Sequence, residues 1–116
     1  MTDAARLADI VERIDRIERA TAEGRDAFAA SEVVQDAVIR NLEVIGEAAK
    51  AISARTRRQL LEVPWREMAR FRDLAIHHYG QILSEEVWVI VSRDLPRIRR
   101  AVSRFIADRD VDPQRR

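Results

Sequence analysis

Apolar residues recur at intervals of three and four along almost the whole chain, which is the spacing of one face of an α-helix. No segment alternates apolar and polar residues for long enough to indicate a β-strand. A first helix is predicted to start at Thr2 or Asp3, either of which can cap it, and Gly24 follows its end. A second helix is predicted from about Ser31. The residues predicted to face inward are Leu7, Ile10, Val11, Ile14 and Ile17 in the first helix, and Val34, Ala37, Val38, Ile45, Ala48, Ala49 and Ile52 in the second.

The third helix has clear start and stop signals. Residues 55–63 before it are predicted to form a short helical turn or a loop. Pro64 suits the first turn of a helix, because proline has no N–H to leave unpaired there. This helix is predicted to run from Trp65 to about Tyr79 and to stop at Gly80, a residue type that commonly follows a helix end.

The last helix is predicted to begin with Ser84 as its cap. Pro96 lies within this helix and predicts that it is kinked or divided in two. The apolar residues that step along one face of it are Val87, Val91, Leu95, Ile98, Val102 and Phe105.

Together these elements predict an all-α fold, an up-and-down bundle of four to five helices with short connections. The 116 residues suit one domain. We expect an ordered core over about residues 3–107 and a polar tail at residues 108–116.

Composition narrows the possible chemistry. The chain has no cysteine, which excludes disulfides, thiolate zinc sites and a cysteine nucleophile. It opens on charged residues from Asp3 rather than on an apolar signal segment, and no apolar run approaches the roughly 18 residues that a membrane span requires. We therefore expect a cytoplasmic protein that does not associate with a membrane.

Charge is distributed unevenly between the two halves of the chain. The net charge is +1, but residues 1–50 carry seven basic and eleven acidic side chains, whereas residues 51–116 carry fourteen basic and nine acidic ones. Twenty of the 21 basic residues are arginine, which binds phosphate through two parallel hydrogen bonds. A proteome-wide bias toward arginine explains that excess at least as well. The asymmetry is more informative, because it places positive charge on the half that holds the candidate site.

The candidate site is the C-terminal part of the third helix, where Arg72 and His77 lie five residues apart. On an ideal helix they are separated by about 7.5 Å along the axis and about 140° around it, so a phosphate across this end could touch both. The helix dipole favours a protonated histidine in the last turn. Histidine can move protons while arginine stabilises charge on phosphorus, which suffices for RNA cleavage without metal. From the residues alone, a salt-bridged and solvated helix end is the commoner explanation.

No cofactor or metal is expected. The chain has no Gly-rich phosphate loop, no His-Glu-x-x-His and no Gly-x-Ser-x-Gly. The two histidines, His77 and His78, are adjacent and point about 100° apart on a helix, which makes them poor joint ligands for one ion. Glu43 and Glu47 share a helix face and could hold Mg²⁺, but a solvated pair is far commoner.

The segment Arg72-Asp73-Leu74-Ala75-Ile76-His77-His78-Tyr79 matches the Arg-Asn/Asp-x-x-x-His-x-Tyr motif, and on it the chain resembles the HepT-like group of HEPN-domain ribonuclease toxins. The resemblance covers roughly residues 7–106. Three further blocks carry it, namely Ala37–Ala48, Pro64-Trp65, and Val87-Trp88 followed by Asp94-Leu95-Pro96.

This resemblance implies a single HEPN domain that acts as a metal-independent endoribonuclease and forms a homodimer with the motif in a cleft between subunits. Arg72 and His77 would be the catalytic pair, and Asp73 would orient them. A minimal nucleotidyltransferase antitoxin would neutralise the toxin in a type II or type VII-like pair, by binding it or by transferring AMP to Tyr79. Asp73 replaces the more usual Asn, and the chain offers one motif histidine. Both points leave open a non-catalytic HEPN subunit that acts as a binding scaffold in a nucleotidyltransferase complex.

Two further features gain meaning beside the motif. Asn41 lies in register with the apolar stripe of the second helix, where it is a satisfied core amide, a dimer contact or a supporting residue of the site. Four arginines step along one face of the last helix and could follow an RNA backbone, meet an acidic antitoxin surface or simply be solvated. These are Arg93, Arg97, Arg100 and Arg104.

Overall fold

The computed structural model describes the backbone of residues 1–77 and 84–110, and the side chains of residues 1–74 and 85–109. Over these residues the fold is entirely helical, as predicted, and contains no strand. The helices are α1 (Asp3–Ala20), α2 (Arg25–Ala30), α3 (Glu32–Ala51), α4 (Ala54–Gln59), α5 (Trp65–His77), α6 (Ser84–Val89) and α7 (Leu95–Asp110), with a π-helical segment (Ile90–Asp94) between the last two.

Helix α1 runs antiparallel to α3 and is fixed to it at two levels. Near its start, Asp3 accepts hydrogen bonds from the backbone N–H and the hydroxyl of Ser53, just beyond the end of α3. Ten residues further along α1, Arg13 donates to Asn41 near the middle of α3. The predicted cap of α1 is confirmed, since Thr2 accepts a hydrogen bond from the N–H of Ala5. Ser31, near which the second helix is predicted to begin, caps α3 by accepting a hydrogen bond from the N–H of Val34.

The short helix α2 is absent from the sequence prediction. Gly24 does follow the end of α1, but it also precedes α2 at a φ of +96°, a conformation that favours glycine. Six residues with a single buried side chain, Phe28, give too short a pattern to reveal a helical period. Phe28 packs against Trp88 of α6, with ring centroids 5.5 Å apart. This contact packs α2 against the first part of the last helix.

Helices α4 and α5 return the chain along α3. The predicted helical turn is α4, which Ser53 caps by accepting from the N–H of Thr56. The carbonyl of Pro64 accepts from the N–H of Met68, and the indole of Trp65 donates to the carbonyl of Leu60. Helix α5 therefore starts at the end of the bundle where α3 stops. The expected end of the third helix at Tyr79 and Gly80 lies outside the described residues.

Helix α6, the π segment and α7 follow one another without a break. The irregularity predicted near Pro96 takes the form of the π segment, and the helix is not divided in two. Pro96 is the second residue of α7 and cannot donate a backbone hydrogen bond. Directly before it, the N–H of Leu95 bonds to the carbonyl of Ile90, five residues back instead of four. Helix α7 reaches Asp110, three residues beyond the predicted core limit at 107, because Arg109 stacks on Phe105 and donates to Gln59.

The core lies between α1, α3, α5 and the last helix, and the predicted inward stripes supply most of it. Val11, Val34, Ala48 and Phe105 are only partly buried and pack against its edge. Among the described residues, no helix has the length and apolar character needed to cross a membrane. The largest fully buried side chains are Phe28, Leu7, Ile10, Ile14, Ile17, Leu42, Ile45, Ile52, Met68, Leu95, Ile98 and Val38.

Candidate active site

Arg72 lies in the second half of α5, and its guanidinium is held between two carboxylates. Its Nε contacts Oε1 of Glu47 on α3, and its Nη1 lies 3.9 Å from Oδ1 of Asp73. The Arg72 side chain is 35% exposed, while the two carboxylate side chains are each 56% exposed. The charged end of Arg72 is therefore paired with a carboxylate and still open to solvent.

A close approach of α3 and α5 places these groups together. A Cβ atom on Gly46 would lie 2.6 Å from the backbone nitrogen of Arg72 and 3.1 Å from the carbonyl oxygen of Met68. Real Cβ atoms essentially never come within 3.0 Å of such neighbours, so only glycine fits without a shift of the backbone. Gly46 thus allows the two helices to meet at Arg72, and it brings the adjacent residue Glu47 onto the guanidinium.

A cleft of about 490 Å³ separates α5 from α6 and the π segment. Asp73 lines it, whereas Arg72 lies on the side of α5 that faces α3. The other lining residues combine apolar side chains with charged ones of both signs. They are Glu67, Arg70, Phe71, Leu74, Glu86, Val89, Ile90, Arg93 and Asp94.

His77 is the last residue of α5, so its backbone lies on the same continuous helix as Arg72. The five-residue interval places the two Cα atoms about 7.5 Å apart along an ideal helix axis. The position of the imidazole lies outside the described side chains, and Tyr79 lies outside the described residues altogether. The structure therefore brings Arg72, Asp73 and Glu47 together and places the backbone of His77 further along the same helix.

Asn41 is buried on the side of α3 that faces α1, with 8% of its surface exposed. Its Oδ1 accepts from Nη1 of Arg13 at 3.3 Å, and its Nδ2 donates to the carbonyl of Ala37 at 2.8 Å. These are the contacts expected of a satisfied core amide. Asn41 lies five residues before Gly46, about 140° around α3 from the surface that meets Arg72.

The four arginines of the predicted row are all exposed, as a row of solvent-facing cations requires. Arg93 pairs with the neighbouring Asp94 at 3.2 Å and also lines the cleft, so the row begins at the cleft and continues along α7. The remaining members are Arg97, Arg100 and Arg104.

Two ionisable groups outside the candidate site have shifted pKa values. Hydrogen bonds from Ser53 and Thr56 lower the pKa of the Asp3 carboxyl. A hydrogen bond to Asp15, reinforced by its charge, raises the pKa of the Arg99 guanidinium. Within the described part of the chain, no three His, Asp or Glu side chains cluster closely enough to hold a metal ion.

Glu47 is the site residue that the sequence does not reveal. Its spacing from Glu43 suggests a solvated pair or a metal-binding pair, but Glu43 contacts Arg40 and Glu47 contacts Arg72. The available signal is the glycine before it, since glycine in the middle of a helix costs about 1 kcal/mol and often marks a close packing contact.

Comparison with known proteins gives one consistent result. The model of the family described as "Ribonuclease HepT-like" matches residues 10–105, which include α5 and nearly all of the last helix. The protein named "Probable ribonuclease HepT" of Thermococcus cleftensis is 44% identical over 94 residues, covering 80% of this chain and 86% of its own. No solved structure matches the chain significantly.

Two relatives from Methanocaldococcus jannaschii extend the comparison. One, named "Putative RNase", is 42% identical over 83 residues, covering 72% of this chain and 69% of its own. The other, named "Gamma-glutamylcyclotransferase and putative RNase", is 34% identical over 105 residues, or 90% of this chain, which spans about half the length of that relative (47%). The family model and the relatives agree over most of the helical bundle, and the chain therefore belongs to the HepT-like ribonuclease family.

Proposed function

We propose that the protein is a metal-independent endoribonuclease with Arg72 and His77 as its catalytic pair. The observation that carries this proposal is that the family match spans α5, where both residues lie on one helix and the Arg72 side chain is 35% exposed beside Glu47. A partly exposed guanidinium is suited to stabilise charge that develops on a phosphate.

The chemistry follows from these two groups. His77 accepts the proton of the 2′-hydroxyl, whose oxygen attacks the adjacent phosphorus while the 5′-oxygen of the next nucleotide leaves and takes up a proton. Arg72 stabilises the extra negative charge on the phosphoryl oxygens during this step. The products are a 2′,3′-cyclic phosphate and a free 5′-hydroxyl. Proton transfer by a positioned histidine contributes about 10²–10⁴-fold in rate.

The reaction needs both an acid and a base, and a homodimer would supply them. Two-fold symmetry would bring a second His77 to the phosphate bound at Arg72, so that one histidine removes a proton and the other donates one. The exposed arginine row from Arg93 to Arg104 would then bind the RNA backbone by charge, which predicts weaker binding at higher salt.

The test is cleavage of a defined RNA by the purified protein in excess EDTA. We expect 2′,3′-cyclic phosphate ends, and no cleavage where the nucleotide carries a 2′-deoxy substitution. Full activity on the 2′-deoxy substrate, or activity that requires an added metal ion, would exclude the proposed mechanism.

We further propose that the enzyme is a toxin restrained by a nucleotidyltransferase antitoxin. The phenolic oxygen of Tyr79 would attack the α-phosphorus of ATP, forming tyrosyl-AMP and releasing pyrophosphate and a proton. The added phosphate would repel RNA and pair with Arg72. Intact mass after co-expression with the partner should increase by one or more AMP units, and Tyr79→Phe should prevent the increase. An unchanged mass with full neutralisation would leave complex formation as the mode of inhibition.

One observation favours a second candidate function, a non-catalytic binding subunit of a nucleotidyltransferase complex. Two carboxylates, Glu47 and Asp73, lie beside the single Arg72 guanidinium, and their charge opposes the approach of a phosphate. A chain that binds the partner stably but never cleaves RNA, even unmodified and dimeric, would support this function over the first.

A further inference from the structure

The motif does not include the residue that holds Arg72 most closely. Glu47 lies on α3, 25 positions before Arg72 in the sequence, and its Oε1 contacts Nε of the guanidinium. The contact is half-exposed, so it adds little to the stability of the fold; exposed ion pairs contribute about 0.2–1 kcal/mol. Its position beside the proposed catalytic arginine suggests a role other than stability.

The geometry of the helix crossing fixes this contact. Gly46 lets the backbone of α3 approach within contact distance of the Arg72 backbone, and the next side chain along α3 then reaches the guanidinium. Glu43, one turn earlier on the same helix, pairs instead with Arg40 of its own helix at 3.4 Å. The two glutamates therefore differ in their partners, although they share a helix face: Glu47 contacts an arginine of α5, and Glu43 contacts an arginine of its own helix.

We propose that Glu47 is a positioning residue for Arg72. By engaging Nε, it holds the guanidinium plane so that the phosphate of the RNA meets the terminal edge, formed by the two Nη atoms, where Nη1 lies 3.9 Å from Oδ1 of Asp73 and is not hydrogen-bonded to it. Arginine binds phosphate through two parallel hydrogen bonds, so the orientation of this plane determines whether both can form. The inference rests on the proposed ribonuclease function and adds a specific residue to its site.

A positioning role and a competing role make opposite predictions. If Glu47 orients Arg72, its removal leaves RNA affinity nearly unchanged and slows the cleavage step, because the guanidinium no longer lies where charge develops. If Glu47 instead occupied the place of the phosphate, its removal would tighten RNA binding and raise the rate.

The experiment compares Glu47→Ala, Glu47→Gln and the matched control Glu43→Ala in the full-length protein. Single-turnover cleavage and RNA dissociation constants are measured in EDTA, and the Arg72 Nε–H signal is followed by ¹⁵N NMR. We expect Glu47→Ala to slow cleavage about 10- to 100-fold with affinity changed by less than about threefold. Glu47→Gln keeps an acceptor oxygen and should recover most of the rate. Glu43→Ala should match the wild type, and the Arg72 Nε–H signal should shift only in the Glu47 variants.

The outcomes separate this inference from the proposed function. If the wild type cleaves RNA and Glu47→Ala matches Glu43→Ala, or binds RNA more tightly and cleaves faster, the positioning role is overturned while the ribonuclease function stands. If the wild type cleaves no RNA under any condition, the proposed function fails and the inference fails with it.

Discussion

The two faces of α3 use polar residues in different ways. On the face toward α1, Asn41 is buried and both ends of its amide are hydrogen-bonded. On the face toward α5, Gly46 removes a side chain altogether, and Glu47 and Arg72 meet with much of their surface in solvent. The amide on the first face is hydrogen-bonded within the protein, whereas the charged groups on the second face remain accessible to a ligand. We therefore expect substitutions toward α1 to act mainly on stability, and those toward α5 to act on the proposed cleavage.

The largest expected effect on stability comes from a substitution in the core next to α1. Ile14 is fully buried in α1, so Ile14→Ala should lower the free energy of unfolding by about 2–5 kcal/mol through lost burial and a residual cavity. Chemical denaturation measures this change. RNA cleavage per folded molecule should stay at the wild-type level. A rate that falls by about tenfold in fully folded protein would show that the two faces are not separable.

Gly46→Ala should affect both stability and activity. Its Cβ would clash with the backbone of Arg72, and the strain should cost about 1–3 kcal/mol, partly offset by the better helix propensity of alanine. The shift of α5 should also slow cleavage about 100-fold or more, since small displacements of catalytic groups are costly. Denaturation and cleavage assays on the same sample measure the two effects.

Gly24→Ala provides the control for that substitution. Gly24 has a positive φ, but a Cβ atom added to it would meet nothing within 4 Å, so alanine there is strained without a clash and its methyl group touches neither α3 nor α5. It should lower stability and leave cleavage unchanged. Equal losses of activity in the two glycine variants would contradict the role given to the helix crossing.

A smaller effect is expected at the ion pair between Asp15 of α1 and Arg99 of α7, which meet at 2.5 Å. Both side chains are about one-third exposed, so Asp15→Asn should cost only about 0.2–1 kcal/mol. Cleavage should not change. A loss above about 2 kcal/mol would place this pair among the main stabilising contacts, contrary to the expectation for a solvent-screened pair.

The smallest effect is a pH dependence at Asp3. Hydrogen bonds from Ser53 and Thr56 lower the pKa of Asp3 in the folded protein. The stabilisation is therefore fully present above the unfolded pKa of about 3.9 and is lost as pH falls through the lowered folded pKa. Unfolding curves from about pH 7 to about pH 2 should show a shallower acid-side loss for Asp3→Asn than for the wild type. Parallel curves for the two proteins would contradict a contribution of Asp3 to the pH dependence of stability.

Much of the fold could be predicted from the sequence, because its long helices carry a regular apolar period and strong caps. Thr2 and Ser31 cap the helices that the pattern predicts, and the last helix passes through a π segment just before Pro96. The short helix α2 escapes prediction because its contribution to the core is one residue, Phe28, whose partner Trp88 is 60 positions away. Such a contact depends on tertiary packing and leaves no local period.

The site was predictable only in part. The motif identifies Arg72 and Asp73, and the structure places them side by side. The contact with Glu47 could not be predicted, because it depends on how closely two helices cross, and Gly46 signals a close approach without naming the partner. The roles of His77 and Tyr79 stay predictions from the family resemblance, because the His77 side chain and the whole of Tyr79 lie outside the described part of the structure.

The catalytic pair is tested most directly by the single-turnover rate of RNA cleavage in EDTA for the wild type, Arg72→Ala and His77→Ala. Each variant should retain the fold and lose about 10²–10⁴-fold in rate, because each removes one of the two groups that we propose act on the phosphate. Wild-type rates in both variants would contradict the assignment of the catalytic pair.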